Sequence, residues 1–314
     1  MCLAGIEHLS VIYRRQNEII QAAQDISFTV LEGESVGLIG ESGSGKSTVA
    51  RAMLGLLPEN AKTTGTIFYH GKAALASDFP SLRGSTVTMV GQEAIAALDP
   101  LQRVYRQLEE TVRRTERLDK KQCHARVMEL LTQVGIPDPE RTGRQYPHTF
   151  SGGMRQRASI AMALACRPRL LIADEPTSSL DVTVQAQLIA LFRQIKKEES
   201  TALLLITHDM GVAAALCERI LVLYAGRLVE EGSAADVFYH PLHPYTRALL
   251  RTAKALAGNG QELAPIPGDI SSAAQSAGCP FAPRCPFAQP VCLQQMPALP
   301  PVQGGHAAAC FLQP

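Results

Sequence analysis

Gly40-Glu-Ser-Gly-Ser-Gly-Lys-Ser-Thr48 is the stretch whose reading decides the fold. It follows a short apolar run, Ser35-Val-Gly-Leu-Ile39, that reads as a strand. It opens onto Val49-Ala-Arg-Ala-Met-Leu-Gly-Leu-Leu57, which places Val49, Met53, Leu54 and Leu57 on one helical face. Strand, glycine loop and helix is the context that a G-x-x-x-x-G-K-[ST] match requires. Gly40, Gly43 and Gly45 let the backbone turn tightly, so that its N–H groups can surround phosphate oxygens. The start of the helix adds partial positive charge at the same place. Lys46 supplies a full charge toward the β- and γ-phosphates, and the Ser47 hydroxyl is positioned for Mg²⁺. The stretch therefore points to a nucleoside triphosphate.

The bulk composition is compatible with that reading and excludes others. A chain of 314 residues exceeds one typical core and suggests a main domain with an appendage. Hydrophobic content of 46% and charged content of 19% describe an ordinary folded protein. Lys and Arg number 30 against 29 Asp and Glu, so there is no global basic field for nucleic acid. No run approaches the roughly 18 apolar residues of a membrane span. The start, Met1-Cys-Leu-Ala-Gly-Ile-Glu7, lacks the basic-then-apolar form of a secretory signal. The expectation is a cytoplasmic protein whose membrane role, if any, needs a partner subunit.

Along the chain, Ile26-Ser-Phe-Thr-Val30, Thr66-Ile-Phe-Tyr69 and Thr86-Val-Thr-Met-Val90 read as strands. From about Leu101 to Gln145 the composition turns charged and helical, as in Val104 to Val112 and His124 to Leu131, until Gly135-Ile-Pro-Asp-Pro139 breaks the pattern. The basic residues from Arg113 to Lys121 are most simply a solvated helix face. Continuous apolar runs then return at Leu170–Ala173, Leu203–Ile206 and Ile220–Leu223, as expected of strands buried on both faces of a parallel sheet. Helical stretches between them argue for right-handed crossovers. Ala253 to Gly278 is rich in Ala, Gly, Ser and Pro and reads as a connector.

Two further constellations narrow the function. Leu170-Leu-Ile-Ala-Asp-Glu175 is an apolar strand ending in two carboxylates. Asp174 suits a Mg²⁺ held through its water shell, and Glu175 could polarise an attacking water. In Phe150-Ser-Gly-Gly-Met-Arg-Gln-Arg157, Ser151 is a natural N-cap, and two glycines leave the helix start open to an anion. A chain with two phosphate-binding helix starts, one lacking a lysine, suggests sites shared between two subunits.

On these residues the chain resembles the nucleotide-binding subunits of ABC transporters over about residues 6 to 240. Gly40–Thr48 matches the Walker A motif, Leu170–Glu175 Walker B, and Ser151-Gly-Gly-Met-Arg-Gln156 the signature. Ser178-Ser-Leu-Asp181 matches the D-loop, Thr207-His208-Asp209 the switch histidine, and Val90-Gly-Gln92 the Q-loop glutamine. The resemblance implies an α/β P-loop NTPase core with a mostly parallel sheet: an ATPase domain at 1–240, with a helical subdomain at about 93–165, and an extension at 241–314. It implies that Gly40, Ser42, Gly43, Ser44, Gly45, Lys46, Ser47, Thr48 and Gln92 touch ATP, with Tyr13 stacked on adenine. Ser47, Gln92 and Asp174 would hold Mg²⁺, and Glu175 and His208 would be catalytic. Ser151, Gly152, Gly153 and Gln156 would face the ATP of a second ATPase subunit, with Asp181 in the D-loop between them. Phe150 in place of leucine, Ser179 in place of alanine, and Glu93, Ala94 and Asp99 after the Q-loop depart from the pattern and cast doubt only on the coupling surface.

The tail adds a subfamily. His243-Pro-Tyr-Thr-Arg-Ala-Leu249 and Ile266-Pro-Gly268 resemble markers of peptide and nickel importers. Cys279, Cys285, Cys292 and Cys310 fall as C-x5-C-x6-C-x17-C, unlike the paired C-x2-C knuckles of a zinc ribbon. Four thiolates suit an iron–sulfur cluster or zinc, and such a crowd in a reducing compartment favours metal over disulfides. The subfamily resemblance implies a [4Fe-4S] cluster on residues 279–310, with zinc and free thiols as the alternatives. It also implies two membrane-spanning permease subunits, an external solute-binding protein, a second and related ATPase chain, and a peripheral position on the cytoplasmic face of the inner membrane. The contrasting function is a soluble ABC ATPase acting on ribosomes or DNA, but such proteins usually carry two nucleotide domains or long coiled-coil insertions. A non-hydrolysing interaction subunit is the third reading, against which Glu175 and His208 are both intact.

Overall fold

Strands with no exposed residue and strands with one wet face both occur in this chain, and they build different sheets. The structure, a computed structural model, describes residues 1–15, 18–92, 97–178, 180–256, 266–268, 277–300 and 305–313. Glu93, Ala94, Ser179 and most of the connector expected after Ala253 lie outside the described residues.

The chain begins with β1 (Cys2–Arg15), β2 (Glu18–Leu31), β3 (Ser35–Ile39), α1 (Lys46–Met53), β4 (Ala61–Tyr69), β5 (Lys72–Ala73), α2 (Phe79–Leu82) and β6 (Val87–Val90). A helical stretch follows: α3 (Val104–Thr115), α4 (Lys120–Gln133), α5 (Pro139–Thr142), a 3-10 turn at Pro147–Thr149 and α6 (Gly152–Leu164). Then come β7 (Leu170–Asp174), α7 (Val182–Glu199), β8 (Ala202–Thr207), α8 (Met210–Leu216), β9 (Arg219–Tyr224) and β10 (Arg227–Ser233). The last elements are α9 (Ala234–Tyr239), α10 (Pro244–Leu256), α11 (Pro290–Gln294) and β11 (His306–Ala308). Contacts divide them into two units, Leu75–Leu204 with Met1, and Cys2–Ala74 with Leu205–Pro314. No helix among the described residues is long and apolar enough to cross a membrane.

In the Leu75–Leu204 unit, β6 and β7 pair in parallel from Val87 opposite Leu170 to Val90 opposite Ala173. Val104, Leu108 and Val112 on α3 repeat at helical spacing and are buried, as are Cys123, Val127, Leu130 and Leu131 on α4. Asp119 starts α4 with a reciprocal cap: its carboxylate accepts from the Gln122 amide at 2.8 Å, and the Gln122 side chain accepts from the Asp119 N–H at 3.1 Å. Arg113, Arg114, Arg117, Lys120 and Lys121 are exposed, so the basic stretch is a solvated surface.

In the other unit, β1, β2, β4 and β5 form an antiparallel sheet in the order β2-β1-β4-β5. The second sheet of this unit runs β11-β10-β9-β3, with the last residues of β8 beside β3. β9 is parallel to β3, whereas β10 is antiparallel to β9 and β11 to β10. α1 stops at Met53, shorter than the sequence pattern suggests, because Gly55 at φ 63° turns the chain away. Leu54 is still buried, while Leu57 lies beyond the helix and is half-buried. α10 continues to Leu256, four residues into the stretch that reads as a connector.

β10 and β11 escape the sequence reading because neither looks like a strand. β10 carries Glu230 and Glu231, yet both are buried and partnered. Glu230, with no exposed surface, accepts from the Leu242 amide at 2.8 Å, the His243 amide at 2.9 Å and His306 Nε2 at 2.8 Å. One carboxylate thus fixes the chain entering α10 and the strand that returns from the C-terminus. His243 beside it is buried, which pushes its pKa down to about 4 with Arg247 adding to the effect, so it stands neutral. Its Nδ1 then accepts from the Tyr245 amide at 3.1 Å at the start of α10. Removing a buried, fully bonded carboxylate costs roughly 3 kcal/mol or more. Glu230→Ala is expected to lower the melting temperature by that equivalent and to expose residues after Tyr239 to limited proteolysis; unchanged melting and cleavage would show that β11 is held by other contacts.

Candidate functional site

The glycine loop belongs to the Cys2–Ala74/Leu205–Pro314 unit. β3 is buried along its whole length, so the chain can turn only at its end. A Cβ at Gly40 would collide with the carbonyl oxygen of Leu223. Gly45, at φ 102°, is the N-cap of α1, and a Cβ there would collide with the Ala22 carbonyl. Both positions therefore demand glycine for space, and Gly45 also for its left-handed backbone. Ser42 and Gly43 are exposed at the tip, whereas Ser44 is fully buried. Its hydroxyl has no hydrogen-bond partner among the described residues, and its amide and carbonyl bond Glu41 O at 3.2 Å and the Gly226 amide at 2.9 Å. Ser44 thus shapes the loop from beneath. Lys46 is also buried and folds over the loop, its ammonium donating to the carbonyls of Gly40 and Glu41, both at 2.9 Å. Ser47 and Thr48 sit in the first turn of α1, half-buried.

Tyr13, on β1, reaches the same loop: its hydroxyl lies 3.3 Å from Thr48 Oγ1. The sequence-expected aromatic residue is therefore brought to the glycine loop. His208 follows the buried strand β8 and is exposed. It is framed by Thr207 Oγ1, which accepts from the Asp209 amide at 3.0 Å, and by Asp209, which caps α8 through the Gly211 and Val212 amides.

The remaining expected residues belong to the Leu75–Leu204 unit. Asp174 ends the buried strand β7 and is itself buried. Glu175 follows at φ 48°, a left-handed conformation that a non-glycine residue adopts at a cost. Ser178 holds it there, its amide and hydroxyl both bonding the Glu175 carbonyl, at 3.3 and 3.2 Å. Gln92, just after β6, places its amide nitrogen 3.4 Å from the Glu175 carboxylate, so this structure brings the Q-loop and Walker B residues together. Ser151 caps α6, accepting from the Met154 amide at 3.3 Å, and is exposed with Gly152, around which a Cβ would meet nothing. A Cβ at Gly153 would press Val184 at 2.9 Å. Gln156 is buried on α6 with its amide nitrogen unpartnered among the described residues. Asp181 is exposed and caps α7, accepting from the Val184 amide at 2.9 Å. Ser178 was read only as part of the D-loop match, and its hold on the Glu175 carbonyl was missed; the capping by Asp181 and Asp209, also missed, fits polar residues just before helical patterns.

Cys279, Cys285, Cys292 and Cys310 all line one small cavity of about 20 Å³, together with His243, Phe281, Phe287, Pro297, Phe311 and Leu312. Burial pushes the Cys279 thiol up to about 11, with Cys292 and Cys310 adding to it, and burial likewise raises Cys285 and Cys310. Among the described residues no three or more His, Cys, Asp or Glu side chains converge as a single metal ion would require.

Comparisons with known proteins agree with the motifs. A family model described as ABC transporter matches residues 23–178, and one described as Oligopeptide/dipeptide transporter, C-terminal region, matches residues 229–292. The oligopeptide transport ATP-binding protein OppD of Salmonella typhimurium is 42% identical over 98% of this chain and 93% of its own length. The dipeptide transport ATP-binding protein DppD of Bacillus subtilis is 42% identical over 98% of this chain and 94% of its own. Among solved structures, the dimeric post-hydrolysis state of the ATP-binding cassette MJ0796 bound to ADP and Pi matches with a TM-score of 0.66 at 27% identity, over 74% of this chain and 99% of that one.

The left-handed turn at Glu175 can be tested apart from its carboxylate. Glycine there removes about 1 kcal/mol of backbone strain, while a β-branched residue adds to it. Glu175→Gly is expected to melt no lower than the parent and Glu175→Val to lose about 1–2 kcal/mol; the reverse order would mean that the turn is unstrained.

Proposed function

The chain belongs to the ABC transporter family, and we propose that within it this ATP-hydrolysing subunit drives the import of oligopeptides or dipeptides. The observation that carries the reading is the union, in one chain, of a complete set of nucleotide motifs with the C-terminal region of oligopeptide and dipeptide transporters at residues 229–292. The relatives named above favour peptides over metal complexes such as nickel.

In this reading Gly40, Ser42, Gly43, Ser44, Gly45 and Thr48 form the phosphate cradle, Lys46 neutralises the β- and γ-phosphates, and Tyr13 stacks on the adenine. Ser47, Gln92 and Asp174 would hold Mg²⁺, which offsets phosphate charge when bound. Glu175 takes a proton from the attacking water, His208 contacts the γ-phosphate, and Gln92 reports on the site to the membrane subunits. Ser151, Gly152, Gly153 and Gln156 face the nucleotide held by a second ATPase subunit, with Asp181 at that junction. Two such subunits, closing on ATP and opening on ADP, bias two permease subunits between their states by differential binding. An external solute-binding protein delivers the peptide. The subunit sits peripherally on the cytoplasmic face of the inner membrane, and no nucleic acid takes part.

The four thiols line one cavity, and their C-x5-C-x6-C-x17-C spacing, unlike paired C-x2-C knuckles, favours a [4Fe-4S] cluster over one zinc ion. One thiolate per iron is the requirement, and Cys279, Cys285, Cys292 and Cys310 would meet it. A cluster held there by Cys279, Cys285, Cys292 and Cys310 as thiolates would tie these segments of the tail together.

Two measurements test the reading. Replacing Glu175 by Gln in the reconstituted complex is expected to slow turnover by about 100-fold or more, to trap ATP and to abolish peptide uptake; undiminished uptake would overturn it. Purification without oxygen is expected to yield about four irons and four sulfides per chain, lost in Cys285→Ser; one zinc per chain with no iron would replace the cluster by a zinc site.

A further inference from the structure

The second residue of the glycine loop is tied to the C-terminal region by its backbone N–H and by its carboxylate. The Glu41 amide donates to the Tyr245 hydroxyl at 2.8 Å. Its carbonyl accepts from Lys46 Nζ at 2.9 Å and from the Ser44 amide at 3.2 Å. Its carboxylate receives a two-pronged bond from Arg284, Nη1 to Oε2 at 2.8 Å and Nη2 to Oε1 at 3.2 Å. All of these residues lie in one unit.

Arg284 stands immediately before Cys285, and its side chain is only 6% exposed. A buried guanidinium is tolerated only when its five N–H donors find acceptors. Here all of them do. Besides Glu41, Arg284 donates from Nη1 to the Tyr224 hydroxyl at 3.1 Å, from Nη2 to the Ile266 carbonyl at 3.1 Å and from Nε to the Pro267 carbonyl at 2.8 Å. Tyr224 ends β9 and packs against Tyr245 and Phe281, with ring centroids 4.5 and 5.3 Å away. The Ile266-Pro-Gly268 motif, which the nucleotide chemistry does not use, supplies two of the carbonyls.

A carboxylate inside a loop that receives a triphosphate is electrostatically adverse unless something cancels it. We propose that Arg284 is a positioning residue for nucleotide binding: it neutralises Glu41 at the start of the glycine loop, so that the cysteine-rich segment sets the ATP affinity of the loop. The inference rests on the ATP reading above. Arg284 touches neither the phosphates nor the reacting atoms; it acts through Glu41. Neutralisation requires only a cation facing the carboxylate, whereas a purely mechanical hold requires the planar fork.

The test is a titration of the purified full chain with Mg²⁺ and a fluorescent ATP analogue. Lys46→Ala serves as the control for the ATP reading itself. Arg284→Gln is expected to weaken binding by about 10-fold through the uncancelled charge, while Glu41→Gln alone shifts it by less than about 3-fold. In Glu41→Gln/Arg284→Gln binding should recover to within about 3-fold of the parent, since no charge is left to cancel. A tail that merely needs Arg284 to fold gives no such rescue. Equal loss in the single and double variants, or parent-like binding in Arg284→Gln, would overturn the proposal. Should Arg284→Gln not fold, Arg284→Lys decides: it keeps the charge and should bind within about 3-fold of the parent, and a loss beyond about 10-fold overturns the proposal. If the parent chain itself fails to bind the analogue, the ATP reading fails instead.

Discussion

Burial of β3, β7 and β8 along their whole length is the constraint on which the rest of the structure depends. These three strands carry no charged residue before their last position, so their chemistry collects at the carboxyl terminus. β3 ends in Gly40 and the glycine loop, β7 in Asp174 and Glu175, and β8 in Thr207 and His208. Each end is then fixed by a local device. Gly45 caps α1 where no side chain fits, Ser178 pins the strained Glu175, and Asp209 caps the helix after His208. The candidate residues are placed by the ends of rigid elements, which is how a few short motifs can keep their geometry.

That arrangement explains what was legible in the sequence. Ser35–Ile39, Leu170–Asp174 and Ala202–Thr207 are apolar without alternation, and a run of that kind reads as a buried strand whatever surrounds it. The residues after each run announce themselves by type: glycines with a lysine, paired carboxylates, a histidine before a capping aspartate. α3 and α4 were legible from helical spacing. The end of α1 was not, because Leu54 and Leu57 prolong the apolar pattern past the point where Gly55 turns the backbone. β10 and β11 were invisible for a different reason. Glu230, Glu231 and His306 read as surface residues, and only their partners in space make them interior. Pattern reading sees a residue's own polarity and not the group that will neutralise it.

The same limit hid the role of the C-terminal region. By sequence it is a connector followed by a crowd of cysteines, an appendage. In the structure its strand β11 extends a sheet of the nucleotide-loop unit, and its arginine enters the interior of that unit. Buried charges recur along this seam, and each is satisfied by groups distant in sequence: Glu230 by Leu242, His243 and His306, Arg284 by Glu41 and Tyr224. Desolvating such groups is unfavourable by itself, and breaking one partner away is more unfavourable still. Pairs of this kind therefore act less as a source of stability than as a register, tolerating one docking of the tail and penalising others.

The Glu41 amide sharpens what the glycine loop can do. A phosphate cradle works by directing several N–H groups at one anion, and any N–H spent elsewhere is subtracted from it. Glu41 gives its N–H to Tyr245, and Ser44 bonds back to the Glu41 carbonyl. The first variable residue of the loop is thus a structural anchor, and in the proposed ATP reading the phosphate contacts would fall to positions beyond it, around Ser42, Gly43 and the first turn of α1. An anchor at that position needs no particular side chain for phosphate chemistry, yet it carries a negative one. A carboxylate set beside a triphosphate is favourable only where a cation is already bound to it, and the cation here comes from the far end of the chain. The loop's complement of charge is therefore completed by residues more than two hundred positions away, with Arg284 lying 243 residues beyond Glu41.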